Sequence, residues 1–202
     1  MKHFILLLPL VFLFACSDSQ GTEGEGFMSE EEALGAHKGW EDINAGVISA
    51  DGTFYSEDGQ FMIELPGIPE HTANIVETEL GKIQTHTYIY SPSITEGYMV
   101  YYSDYPTDYV RKVDKRKMLL SAMEGAMKPI GVIGTEEMNE FYLNDNPAIE
   151  FLAHGEHMYM AGRVYLIDNR LYQVSIIRDG SYPSTETINK FYDSFYIVEI
   201  KR

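Results

Sequence analysis

The sequence predicts an α+β fold in which a mainly antiparallel sheet is covered by two helices, an α/β/α sandwich. Three observations predict it. Segments that alternate with period two recur between residues 60 and 177, as strands with one buried face require. Two stretches, 109–128 and 184–194, instead carry apolar side chains at helical spacing. The order is four strands, a helix, four strands, a helix and a terminal strand, and such a sheet needs its apolar face covered.

Each element has its own justification. Over 60–65, Phe61, Ile63 and Leu65 alternate with Gln60, Met62 and Glu64, and Pro66-Gly67 stops the strand. A weaker strand spans 72–80 and turns at Gly81. The segments 82–90 and 98–105 are β-branched and aromatic with period two. Tyr109, Val113, Leu120, Met123 and Met127 then share a helical face into which Arg116 intrudes, and Pro129 and Gly131 end that helix. Strands follow near 132–143, 148–154, 158–167 and 171–177. Asp168-Asn169 forms the turn between the last two, because both residue types tolerate positive φ. In the second helix Ile188, Phe191, Tyr192 and Phe195 share a face and Ser184 is the cap. A short strand over 196–200 closes the chain. An up-and-down barrel of the lipocalin kind is the alternative, since it too is a series of hairpins ending in a helix; the helix at 109–128 argues against it.

Composition bounds the function. At 202 residues the chain is one domain with an extension. A formal charge of -16 and a pI near 4.6 repel phosphate backbones, which excludes nucleic acid as a partner. A single Cys excludes a disulfide framework and a Cys-rich zinc site. The charge is uneven: residues 17–58 hold 11 acidic side chains against Lys38 alone, and 59–202 hold 20 acidic and 13 basic. Residues 17–26 include no large apolar side chain and cannot offset their ordering entropy, so they are read as a flexible tether. Ser29 and Glu32 have capping-box spacing for a short helix, and Trp40 is the aromatic that would dock it. The organisation expected is a signal peptide over 1–15, an acidic tether over 16–51 and an α+β domain over 52–202.

The first residues carry an address. Lys2 and His3 precede the apolar run 4–15, which is interrupted only by Pro9. That run is shorter than the roughly 20 residues a membrane-spanning helix needs, and fits a secretion signal. It ends in Leu13-Phe14-Ala15-Cys16, which resembles the lipobox of bacterial lipoproteins, and Cys16 is the only cysteine in the chain. The resemblance implies cleavage before Cys16, a thioether-linked diacylglycerol on its sulfur and an N-acyl group such as palmitate. Several acyl chains hold a soluble domain on a membrane without a spanning helix. Ser17, rather than Asp, follows the Cys, which in sorted lipoproteins favours the outer membrane of the cell envelope.

A second resemblance covers roughly 52–200. Phe61-Met62-Ile63-Glu64-Leu65-Pro66, the central helix and the closing Phe191-Tyr192-Asp193-Ser194-Phe195 resemble the PsbP-like and Mog-like family of α/β/α sandwiches. This implies a non-catalytic binding or assembly factor.

Candidate sites are few. His154 and His157 flank Gly155-Glu156; this His-Gly-Glu-His run reads first as a solvated turn, and alternatively as a Zn²⁺ or Cu²⁺ pair across a hairpin with Glu150 or Glu156, although no spacing fixes a third ligand. No Gly-x-Ser-x-Gly elbow or Gly-rich phosphate loop occurs, so neither a catalytic residue nor a cofactor is expected. Arg111, Lys112, Lys115, Arg116 and Lys117 form the one dense basic cluster, near a helix N-terminus where cations oppose the macrodipole. Tyrosines crowd two strands, among them Tyr101 and Tyr105, and Tyr suits both packing and partner recognition. The expectation is a membrane-anchored, non-catalytic domain that binds or helps assemble another envelope protein, with the basic cluster, Tyr101 and Tyr105 at the contact. The alternative is a small-molecule, sugar or metal-binding module.

Overall fold

Alternation of apolar and polar residues sets most of this chain into hairpins. The computed structural model describes residues 46–199 continuously, together with 26–29, 31, 34–35 and 41–43. Five short strands come first: β1 (Phe27–Ser29), β2 (Glu41–Ile43), β3 (Gly46–Ile48), β4 (Thr53–Ser56) and β5 (Phe61–Glu64). Three long ones follow as a meander, β6 (Glu70–Thr78), β7 (Gly81–Ser93) and β8 (Glu96–Asp104). After α1 (Thr107–Val110) and α2 (Lys115–Met127), a short 3₁₀ turn leads into a second meander. Its strands are β9 (Gly134–Leu143), β10 (Asn146–His154), β11 (Met158–Ile167) and β12 (Arg170–Asp179). Helix α3 (Thr185–Asp193) and strand β13 (Tyr196–Glu199) complete the described chain.

The two meanders fuse into one sheet because β12 pairs antiparallel with β8, giving the order β6-β7-β8-β12-β11-β10-β9. The short strands make a second sheet, β1-β13-β5-β4-β3-β2, in which β1 and β13 run parallel. One face of the seven-stranded sheet packs Ile149, Phe151, Met160 and Val164 against Met118, Leu119, Ala122 and Met123 of α2. The opposite face buries Tyr88, Tyr102, Tyr165 and Tyr172 against Phe54, Phe61 and Ile63 of the second sheet and against Phe191 and Phe195. Each fully buried aromatic or aliphatic side chain contributes roughly 1.5–3 kcal/mol.

The α/β/α sandwich expected from the sequence is not what forms. The protein is mostly β, and the layer over the second face is itself a sheet with α3 beside it. Two physical reasons account for the difference. Strands β1 to β4 have three or four residues each, too few for period two to stand out among the Gly, Asp and Ser around them. The closing strand β13 pairs with β1 and β5 rather than extending the long sheet. Nor does a lipocalin-like barrel form, since β6 and β9 lie at opposite ends of the strand order.

The helix predicted over 109–128 is broken. Asp114 takes an extended conformation and its side chain accepts a hydrogen bond from the Lys117 N–H, so it caps a fresh helix at Lys115. The Ser184 cap forms as expected, accepting from the Thr187 N–H at 3.1 Å, and Asp168 has φ of 52° in its turn. The turn between β9 and β10 has Asn144 and Asp145 both at positive φ, 45° and 63°, as a two-residue hairpin loop demands. Within the expected tether, residues 27–29, 41–43 and 46–48 are strands of the second sheet; Ser29 ends the first of them, and Glu31, Leu34 and Gly35 after it are helical, in line with the short helix expected there. The expected signal peptide, Cys16 and Trp40 lie outside the described residues.

Candidate functional site

Pleat parity decides which side chains meet on each face of the long sheet. On the face that meets the second sheet, one cross-strand row runs Phe141, Ala148, Tyr165, Tyr172, Tyr102, His86 and Ala73, one residue from each strand. Tyr165, Tyr172 and Tyr102 are buried in the middle of it. Towards β6 the row emerges from under the second sheet and becomes a half-buried cluster of rings and charges.

Two histidines form its outer layer. His71 Nε2 and His86 Nδ1 are 3.1 Å apart and share a hydrogen bond. Their planes differ by 12° with centroids 5.3 Å apart, so the rings lie end to end, nearly coplanar. Behind them stand two tyrosines: His71 stacks on Tyr88 at 4.4 Å and His86 on Tyr102 at 4.5 Å. The Arg170 guanidinium also lies against Tyr102, at 4.5 Å. Its Nε and Nη2 donate to the two carboxylate oxygens of Asp104 at 2.6 and 2.7 Å, and its Nη1 donates to the Asp58 carbonyl at 2.7 Å. Tyr172 donates to the Gly59 carbonyl at 2.8 Å, and the Ser56 and Tyr88 hydroxyls are bonded at 2.9 Å. The β4–β5 turn is thereby tied to the long sheet at this corner.

The electrostatics follow from burial. Partial burial holds His71 below the ordinary histidine value, with Asp58 pulling the other way. Burial likewise holds His86 low, helped by His71 and Arg170 and opposed by Asp58 and Asp104. Burial pushes Tyr102 upward, and Tyr172 up to about 12, so both are phenols at neutral pH. Chemically, the histidine pair can accept one proton while keeping its shared bond. A second proton would set two N–H groups against each other and break it.

The residues singled out in the sequence fall elsewhere. His154 ends β10 and His157 sits in the following turn, three-quarters exposed; each has a Glu oxygen 3.9 Å away, Glu136 and Glu156 respectively. Among the described residues no group of three or more His, Cys, Asp and Glu is arranged to hold a metal ion. Arg111, Lys112 and Lys115 are exposed, the first two in the loop between α1 and α2. Arg116 is held by Glu140 of β9 through bonds of 2.8 and 2.9 Å, and the Lys117 backbone belongs to the helix cap. A cleft of about 320 Å³ opens beside them, but Asp114, Glu140 and Asp145 share its walls with Lys115 and Arg116. Tyr101 and Tyr105 are buried in the core beneath α1 and α2, because their parity places them on the helix-covered face. They cannot meet a partner directly.

Sequence reasoning missed His71, His86, Asp104 and Arg170. A signal was present: counting back from Thr78 opposite Gly81 places His71 opposite Tyr88 and Ala73 opposite His86. No family model matches this sequence, and no curated protein is significantly similar to it.

Proposed function

We propose that this chain is a lipid-anchored, non-catalytic domain of the bacterial cell envelope that binds another envelope protein. The lipobox-like Leu13-Phe14-Ala15-Cys16 supplies the anchor. The observation that carries partner binding is the placement of exposed apolar side chains. Among the described residues six large hydrophobics are exposed, and five lie on or just before an edge strand of the long sheet: Ile68 and Ile75 at β6, Val132, Ile133 and Met138 at β9. The sixth, Ile94, is in the turn after β7. Edge strands offer unpaired backbone groups, and apolar side chains beside them suit a protein partner. The cleft beside the basic cluster favours a second reading, a small-molecule or sugar-binding module.

The test is cross-linking in native membranes from a photoreactive residue at position 72 or 138 of the full-length lipoprotein, followed by identification of the adducts. Protein adducts support partner binding. No protein adduct from either position, with a small molecule copurifying instead, reverses the order of the two readings.

A further inference from the structure

The two edges of the long sheet are protected very differently. On β9 the exposed residues include Glu136, Glu137 and Glu140, and the register slips between Leu152 and Ala153 of its neighbour. Charges and bulges of this kind keep other strands from adding to an edge. On β6 residues 71–76, His-Thr-Ala-Asn-Ile-Val, carry no formal charge, no Pro and no bulge against β7. Thr72 and Ala73 are exposed, and Ile75 is 66% exposed.

The aromatic row also stops short at this edge. His86 has Tyr102 on one face, and its opposite neighbour in the row is Ala73, whose side chain is a single methyl group. Among the described residues the outer side of the imidazole therefore has no ring to match the ones behind it. Charge adds a further condition. Glu70 and Glu77 bracket the uncharged run, Glu77 with Lys82 at 3.1 Å, and residues 59–202 carry 20 acidic against 13 basic side chains. Pairing two copies antiparallel about the centre of the uncharged run, between Ala73 and Asn74, would set Glu70 of one against Glu77 of the other, which is unfavourable.

Resting on the partner-binding reading above, we infer that β6 is the docking edge and that its occupant is an extended segment of a different protein. That segment adds an eighth strand beside β6. It places a flat side chain, aromatic or guanidinium, over Ala73 and the outer face of His86, and a Lys or Arg near Glu70. Backbone pairing supplies affinity in this mode, and the stacked side chain with the basic residue supplies selectivity.

The experiment uses the full-length lipoprotein in native membranes, with the photoreactive residue at 72 and, in a separate protein, at 138. Ala73→Trp fills the place over His86, and Ile75→Lys puts a charge on the edge; both sites are exposed, and a thermal melt confirms that each variant folds. The expected result is a heterologous protein adduct from position 72 whose yield falls about tenfold or more in each variant. Met138→Lys leaves that yield unchanged. An adduct from position 138 but none from 72, a yield from 72 that neither variant lowers, or an adduct of two copies of this chain overturns the inference and leaves partner binding standing. No protein adduct from either position removes the partner-binding reading as well.

Discussion

Arg170 is the residue whose loss should be felt at both the sheet junction and the histidine pair. It bridges β12 to Asp104 of β8 and to the Asp58 carbonyl in the β4–β5 turn, and its side chain is 17% exposed. In Arg170→Met the aliphatic stem still covers Tyr102 while the charge and all three hydrogen bonds go. The Asp104 carboxylate is about half exposed, so the ion pair is screened and contributes only about 0.5–1 kcal/mol. The cation–π contact with Tyr102 adds about 0.5–1 kcal/mol. The charge-assisted bond to the Asp58 carbonyl lies at the surface, so the lower end of its range, about 1.5 kcal/mol, applies. The bond between sheets is thus the largest single loss, and the whole change costs about 2.5–3.5 kcal/mol. Urea titration at pH 8 should show a lower midpoint with an unchanged slope. The melting temperature should fall by about 5–14 °C at 2–4 °C per kcal/mol. Arg170 also helps to hold His86 low, so the His86 ring should titrate at higher pH in the variant, as followed by NMR. A loss below about 0.5 kcal/mol would refute the argument, because the corner would then hold without the Asp58 bond.

Other expectations are separately measurable. Gly155→Ala would place a Cβ 1.9 Å from the Ile130 carbonyl oxygen and 3.0 Å from that of Gly131. Backbone cannot yield easily, so equilibrium denaturation should show a loss of about 2–3 kcal/mol, whereas Gly97→Ala, with nothing nearer than 3.6 Å, should be close to neutral. The native His71 and His86 values lie below the unfolded 6.5, so the unfolded chain takes up protons first as pH falls. Their contribution is fully present above 6.5 and is lost between 6.5 and the lowered native values. A double variant, His71→Asn with His86→Asn, should therefore lose less stability than the wild type between pH 8 and 5, as measured by denaturant titration across that range. Cys16→Ser should abolish the acylated N-terminus and move the protein out of the membrane fraction; mass spectrometry that finds a mature wild-type chain without a modified Cys16 would contradict the anchor.

Elements long enough to show a period were legible in the sequence, as were the short strands β5 and β13, whereas β1 to β4 were not. The strands at 158–167 and 98–105 were placed within about two residues, which is where boundary reading ordinarily errs. Strands β1 to β3 were read as tether because acidic residues and Gly dominate 17–51, although pairing along a chain depends on what comes to lie beside it. The break at Asp114 was visible only as an interruption of a basic run, yet Asp is a strong N-cap and Lys117 lies at the spacing a cap requires. The tyrosines show the same limit. Tyr101 and Tyr102 are neighbours in sequence and face opposite layers, so their enrichment said that the strands were buried without saying which ring was where.

The basic cluster was legible as composition and misleading as a surface. Counting charges along 111–117 finds five cations and Asp114, but Arg116 meets Glu140 and the adjoining cleft includes Asp145, both from the β9–β10 hairpin. Residues far along the chain thus offset the run locally. The reverse holds at β6, where no window of sequence is unusual and the topology alone leaves the uncharged run 71–76, between Glu70 and Glu77, on the strand at the end of a seven-stranded sheet. The sheet's other end carries three Glu residues in the corresponding place. Edge protection costs little in sequence, since one charge on an exposed position suffices. A strand that omits it over the six residues that lie beside a row of stacked rings is therefore a more specific pointer to a binding edge than any local excess of charge.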